Sequence, residues 1–170
     1  MLRITKAELS NLEALREISI STFVESFAHL NTAADFKIYL EHNFSPSKLA
    51  DELSNPASIF FLVYQNTEII AYLKLNLSSA QTETKYLNSL EIERIYVLNN
   101  FKGNGIGTKL IFKAKEIALK HNLNFIWLGV WEKNTEAIAF YKKHGFNEFG
   151  NHVFMLGKDA QKDILMRLDF

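Results

Sequence analysis

The chain of 170 residues has no cysteine, only two prolines and seven glycines. Without thiols there can be no disulfide, no cysteine-based metal site and no acyl-cysteine intermediate. Neither sign of charge is in excess, because Lys plus Arg and Asp plus Glu both number 19. A balanced chain lacks the basic footprint of a nucleic-acid binder, and no helix-turn-helix is recognisable, so no nucleic-acid partner is expected. The start, MLRITKAELS, has no apolar signal-peptide run. No stretch approaches the ~20 apolar residues of a membrane span. The histidines His29, His42, His121, His144 and His152 show no metal-ligand spacing such as H-E-x-x-H, so no metal is expected. Repeats, low-complexity tracts and Pro/Gly-rich linkers are also missing, which predicts one domain over 1–170. Together these absences describe a cytoplasmic globular domain without a membrane partner.

What is present is a rich apolar supply, including 14 phenylalanines, with two alternating periodicities. Leu2–Thr5 predicts a short strand. Leu12, Leu15, Ile18, Phe23 and Phe27 recur at helical spacing within 10–27. A second helix is expected over about 33–44, and Ser45-Pro46 caps a short third one through Leu49 and Leu53. Ile59–Tyr64 and Glu68–Leu77 read as a hairpin around Gln65-Asn66-Thr67. Ser78–Tyr86 is polar and reads as a loop, and Leu90–Leu98 as a strand. From Gly105 to about Leu119 the chain is an amphipathic helix, followed by a strand at Phe125–Val130. Asn134 caps a helix from Thr135 to about Lys143, which Gly145 closes. Two last strands are expected at Phe149–Met155 and Asp163–Leu168. The layout is a mixed α/β fold. Trp127 and Trp131 flank a strand and read as core.

The segment Lys102–Gly107 (KGNGIG) joins a strand to a helix. Closely spaced glycines let backbone N–H groups converge, and a helix start favours an anion, so the turn suits a phosphate or pyrophosphate; otherwise it is a bare turn. It is not a nucleotide P-loop, because Gly107-Thr108-Lys109 reverses the required Lys-Ser/Thr order. It is not a dinucleotide fingerprint either, because Thr108 stands where the third glycine belongs.

The spacing Lys102-x-x-Gly105-x-Gly107 instead resembles the pyrophosphate motif of the GNAT N-acetyltransferases, with Lys102 where that family usually has Arg or Gln. Asn134-Thr135-Glu136-Ala137-Ile138-Ala139-Phe140-Tyr141, ending in Gly145-Phe146, resembles the family's second signature helix. LEIERIYVL, IWLGVWEKN, AIAFYKKHGF, REISISTF, AYLKLN, AQTE and the G-x-H-x-F tail with Gln161 and Asp163 resemble the bacterial Pai-type spermidine/spermine acetyltransferases within it. The resemblance implies a GNAT fold: a central mixed, mostly antiparallel sheet of six or seven strands, flanked by helices and splayed between the strands at 90–98 and 125–130. It implies acetyl-CoA as co-substrate and a small primary amine, a polyamine, as acceptor. A protein N-acetyltransferase and a non-catalytic acetyl-CoA sensor are the alternatives.

Residue by residue, the resemblance implies that Ile95, Tyr96 and Val97 pair with the pantetheine arm, and that the N–H of Val97 also stabilises the oxyanion. Lys102, Gly103, Asn104, Gly105, Ile106, Gly107 and Thr108 hold the pyrophosphate. Asn134 contacts the pantetheine or caps its helix, and Lys143 reaches the phosphates or is simply solvated. An alkylamine has a pKa near ~10, so a proton acceptor is needed, directly or through water. Glu93 matches that position, with Glu91 in reserve on the same strand face; the alternative for either is a carboxylate paired with a base such as Arg94. Tyr141 protonates the departing thiolate, or else packs beside Phe140. His152 lines the acceptor end. Glu25, Asp35, Glu41, Glu83, Glu91 and Glu93 are the acids available for a polycation. Transfer is direct, without an acetyl-enzyme. A homodimer is compatible with base rates.

Overall fold

The computed structural model describes residues 1–170 with Leu30 excepted. Seven strands form one sheet: β1 (Leu2–Lys6), β2 (Ser58–Gln65), β3 (Glu68–Leu77), β4 (Ser89–Val97), β5 (Phe125–Trp131), β6 (Asn147–Leu156) and β7 (Asp159–Asp169), in the order β1-β2-β3-β4-β5-β7-β6. All neighbours are antiparallel except β4 and β5. The helices are α1 (Leu12–Phe27), α2 (Ala33–Asn43), α3 (Pro46–Ser54), α4 (Ile106–Lys120) and α5 (Thr135–Lys143). α4 is the crossover that a parallel β4–β5 pair requires. No helix of the described residues is long and apolar enough to cross a membrane.

Local chemistry explains the helix starts. Thr32 accepts from the N–H of Asp35 and Ser45 from that of Lys48, with Pro46 in the first turn of α3. Asn134 accepts from the N–H of Ala137. α4 differs: its N-cap is Gly105 at φ +75°, with no side chain capping it.

The sheet separates two cores. On one face, Leu110, Ile111, Ala114 and Ala118 of α4, with Tyr141 of α5, pack on Leu90, Ile92, Ile126 and Leu128. On the other, Leu15, Phe23, Phe36 and Leu49 of α1–α3 pack on Phe60, Leu62 and Tyr72. Two expectations are corrected. The last strands are longer than Phe149–Met155 and Asp163–Leu168, because they pair along their whole length around a Gly157-Lys158 turn and β7 also pairs with β5. The segment after β3 begins with a 3-10 turn at Ser78–Ala80 rather than being all loop.

Candidate active site

β4 and β5 pair only at Ser89–Phe125, Leu90–Ile126 and Glu91–Trp127, and then diverge. Leu98 donates its N–H to the Ile70 carbonyl, which fixes the alternation along β4. Arg94 and Tyr96 turn their main chain to β3, whereas Ile95 and Val97 turn theirs into the opening. The split therefore exposes two unpaired strand positions able to take an added strand-like ligand.

A register shift between Lys74 and Leu75 leaves Glu93 as an extra residue in β4. Such a bulge reverses the parity of the side chains after it. Leu90, Ile92, Ile95 and Val97 consequently pack on the α4 side, while Tyr96 and Leu98 join the α1–α3 core. Glu93 and Arg94 come together facing Glu52 of α3, and the Asn76 amide links Glu93 to Glu91.

The glycine turn lies at one end of the split. Gly103 and Gly105 have φ of +80° and +75°, and an added Cβ at either would meet nothing within 4 Å. Gly107 serves another purpose, since its Cβ would come within 3.1 Å of the Phe140 ring. None of the six N–H groups of Gly103–Thr108 has a partner among the described residues. Six open amides at a helix start suit an anion. Ile106 anchors the turn in the core, while Lys102 and Asn104 are exposed. Thr108 Oγ1 lies 3.2 Å from His144 Nε2, which ties α4 to the end of α5.

At the other end are the acids. Glu93 sits in a ring of alternating charge. Lys74 Nζ is 2.5 Å from Glu93 Oε2 and 3.1 Å from Glu52 Oε1; Arg94 is 3.3 Å from Glu93 Oε1 and 3.1 Å from Glu52 Oε2. Burial alone would raise the Glu93 pKa, but Arg94 and Lys74 outweigh it and hold the carboxyl below its usual value. Glu91 is raised by burial, although the backbone and hydroxyl of Thr82 and the amide of Asn76 all donate to it. The Asn76 amide bridges the two carboxylates. Tyr141 is buried, which raises its pKa well above the phenol value, and its hydroxyl has no hydrogen-bond partner among the described residues.

The glycine turn, the open positions of β4, Glu91, Glu93 and Tyr141 line one cleft of about 960 Å³, together with Asn134, Lys143, Trp131, Glu83, His152 and Asp163. Trp127 is core, as expected, but Trp131 is half-buried on the cleft wall. Of the six acids expected for a polycation, Glu83, Glu91 and Glu93 converge here. Glu25 instead accepts from the N–H of Asn99, Asp35 from that of Lys158, and Glu41 pairs with Lys37. Sequence reasoning missed Lys74, Glu52 and Asn76, and did not count Asp163 among the acids. A lysine inside the apolar strand YLKLNL was the available signal. Among the described residues no group of three or more His, Asp or Glu is arranged to hold a metal ion.

The sequence model of the acetyltransferase (GNAT) family matches residues 12–146. The chain belongs to that family. This acetyltransferase is 36% identical over 165 residues to an uncharacterized N-acetyltransferase in the pepI 3′ region of Lactobacillus delbrueckii subsp. lactis, covering 97% of this chain and 95% of the relative. It is 23% identical over 149 residues to the spermidine N(1)-acetyltransferase of Thermoplasma acidophilum, covering 85% and 88%. Its fold matches the crystal structure of the PaiA N-acetyltransferase of Thermoplasma acidophilum in complex with coenzyme A, with a TM-score of 0.82 at 21% identity over 100% of this chain and 99% of the other. The chain is thus an N-acetyltransferase of the GNAT type, a family whose acyl donor is acetyl-CoA.

Proposed function

We propose that the enzyme transfers acetyl directly to a primary amine of a small molecule, with the polyamines spermidine and spermine as the acceptor class. The observation that carries this is the polarity of the cleft. Open amides and free strand edges occupy one end, and the acids Glu83, Glu91 and Asp163 line the other. The spermidine acetyltransferase relative supports the same acceptor class.

Acetyl-CoA supplies a thioester activated for attack by an amine. In this reading Gly103–Thr108 hold its pyrophosphate with backbone N–H groups, helped by Lys102 and Lys143. The open positions Ile95 and Val97, with Tyr96 between them, and Asn134 align the pantetheine arm. The Val97 N–H stabilises the charge that develops on the carbonyl oxygen. Tyr141 remains a neutral phenol at pH 7 and gives its proton to the leaving sulfur.

Glu93 is the proton acceptor, in a restricted sense. Two cations make it a weak base, ill-suited to strip a free ammonium with a pKa near ~10. The neutral fraction of the amine, its first proton left in bulk water, attacks, and Glu93 takes the second proton, through a connecting water, once bonding to the carbonyl carbon has acidified the N–H. Glu91 is less suited to exchange protons with the cleft, because Thr82 and Asn76 occupy its oxygens.

The test is release of free thiol from acetyl-CoA over a panel of polyamines, monoamines, lysine and peptide N-termini. The expected result is a kcat/KM at least about tenfold higher for spermidine or spermine than for any peptide. Release with peptides and not with polyamines would overturn the acceptor assignment. Binding of acetyl-CoA without release on any amine would make the chain a sensor.

A further inference from the structure

Three titratable side chains from three parts of the chain meet at the acid end of the cleft. His152 on β6 has Nδ1 3.1 Å from Glu83 Oε1 and Nε2 3.4 Å from Asp163 Oδ2. Glu83 comes from the segment between β3 and β4, and Asp163 pairs with His152 across β6 and β7. Gly129 on β5 lies directly beneath; a Cβ there would be 3.1 Å from Asp163 Oδ2 and 3.3 Å from His152 Nε2. A glycine inside a strand marks a place where another group approaches closely.

The charge count distinguishes this group from Glu93. Glu93 and Glu52 are matched by Lys74 and Arg94, with Lys48 also 4.0 Å from Glu52, so that cluster has no negative charge left for a cationic ligand. Asp163 is buried, yet its one described ionic partner is His152, at a distance too long for a strong hydrogen bond. A buried carboxylate normally has short donors to both oxygens. Asp163 therefore keeps unfilled acceptor capacity facing the cleft. Glu83 is shared with Lys85, which approaches from the solvent side at 3.5 Å.

We propose that Glu83 and Asp163 form a second cation subsite that takes the distal ammonium of an acceptor with two or more amino groups, and that His152 occupies it until this ammonium displaces the ring or drives the ring's proton into solvent. The inference rests on the polyamine reading above and deepens it by assigning the residues that hold the second amino group. Contact with Asp163 and Glu83 raises the His152 pKa against the opposing effect of burial. The charged groups facing the ring are Glu83, with Lys85 behind it, from the segment before β4, and Asp163 from β7; β5 contributes no charged residue. A charged imidazole holds the subsite against a second ammonium, and a neutral one yields it. Selection of a diamine over a monoamine accordingly rises as His152 loses its proton.

The test is NMR titration of the His152 ring, its signals identified by their loss in His152→Gln. Butane-1,4-diamine is expected to ease proton loss from His152 about tenfold, moving the midpoint about one pH unit lower. Butylamine is expected to leave it in place, and Asp163→Asn to abolish the diamine effect. An unmoved midpoint, or equal displacement by both amines, would overturn the subsite. Because this readout needs no turnover, it separates the two readings. A shifted His152 with no thiol release sinks the transfer assignment alone. Thiol release from the diamine with an unmoved His152 sinks only the subsite. In turnover, the ratio of kcat/KM for the diamine to that for butylamine is expected to rise about tenfold between about pH 6 and 8.5; a flat ratio contradicts the proposal.

Discussion

Glu91 and Glu93 stand two positions apart on one strand, share the same Asn76 amide, and are driven in opposite directions by their surroundings. Divergent carboxylates are a common way to divide roles in a site. Here the cause of the divergence is the Lys74–Arg94 pair around Glu93, which makes a prediction about stability. A carboxyl whose folded pKa is lowered contributes stability that is complete above its unfolded value and lost as pH falls through the folded value. Glu93→Gln is therefore expected to cost about 3 kcal/mol at pH 7, by leaving two buried cations facing one carboxylate. The deficit should start to shrink as pH drops below about 4.5, where Glu93 of the unfolded chain takes up a proton, and go on shrinking until the folded carboxyl, held below that value, is protonated too. Urea denaturation at pH 7 and pH 4 measures both; an equal deficit at the two values would mean that the ring does not stabilise the fold. Tyr141 makes a kinetic prediction. Tyr141→Phe keeps the packing and removes the proton, so kcat should fall about a hundredfold while the affinity for acetyl-CoA stays the same. An unchanged kcat would leave Tyr141 as a packing residue. Glu93 and Tyr141 were legible because each sits in a linear motif. Lys74 and Asn76 were not, because their role comes from facing β4 across a bulged register that no linear pattern encodes.

At the scale of elements, the glycine turn separates into two kinds of glycine that look alike in the sequence. Gly103 and Gly105 carry positive φ with open space beside them, whereas Gly107 makes room for Phe140 of the neighbouring helix. Gly105→Ala should therefore weaken acetyl-CoA binding by about fivefold, through about 1 kcal/mol of left-handed strain at the turn. Gly107→Ala should instead lower the thermal midpoint by several degrees, about 1–3 kcal/mol of overpacking between α4 and α5. Calorimetric titration and thermal melts read the two separately, and the reverse pattern would refute this division. The helices and most strands were predictable because their caps and periodicities are local. The extension of β6 and β7, the 3-10 turn after β3 and the bulge at Glu93 depend on what each strand pairs with.

Across the whole molecule, the glycine-turn end of the cleft was far more legible than the acid end. The glycine-turn end is built from contiguous segments, the turn itself and the helix after Asn134, brought together by one parallel crossover. The acid end takes single residues from β6, β7, β4 and the segment before β4, so the convergence of Glu83, His152 and Asp163 emerges only on folding. Glu25, Asp35 and Glu41 show the converse: acids whose spacing looked useful are used to hold backbone N–H groups or to pair at the surface. The two ends meet in one cleft, which favours direct transfer between bound reactants over a covalent relay. The most direct measurement incubates the protein with radiolabelled acetyl-CoA, with and without spermidine, and follows the label by chromatography. The account predicts label in N-acetylspermidine, matched by an equal release of coenzyme A, and none retained on the protein when spermidine is omitted. Label on the protein alone, or none transferred to spermidine, would contradict it.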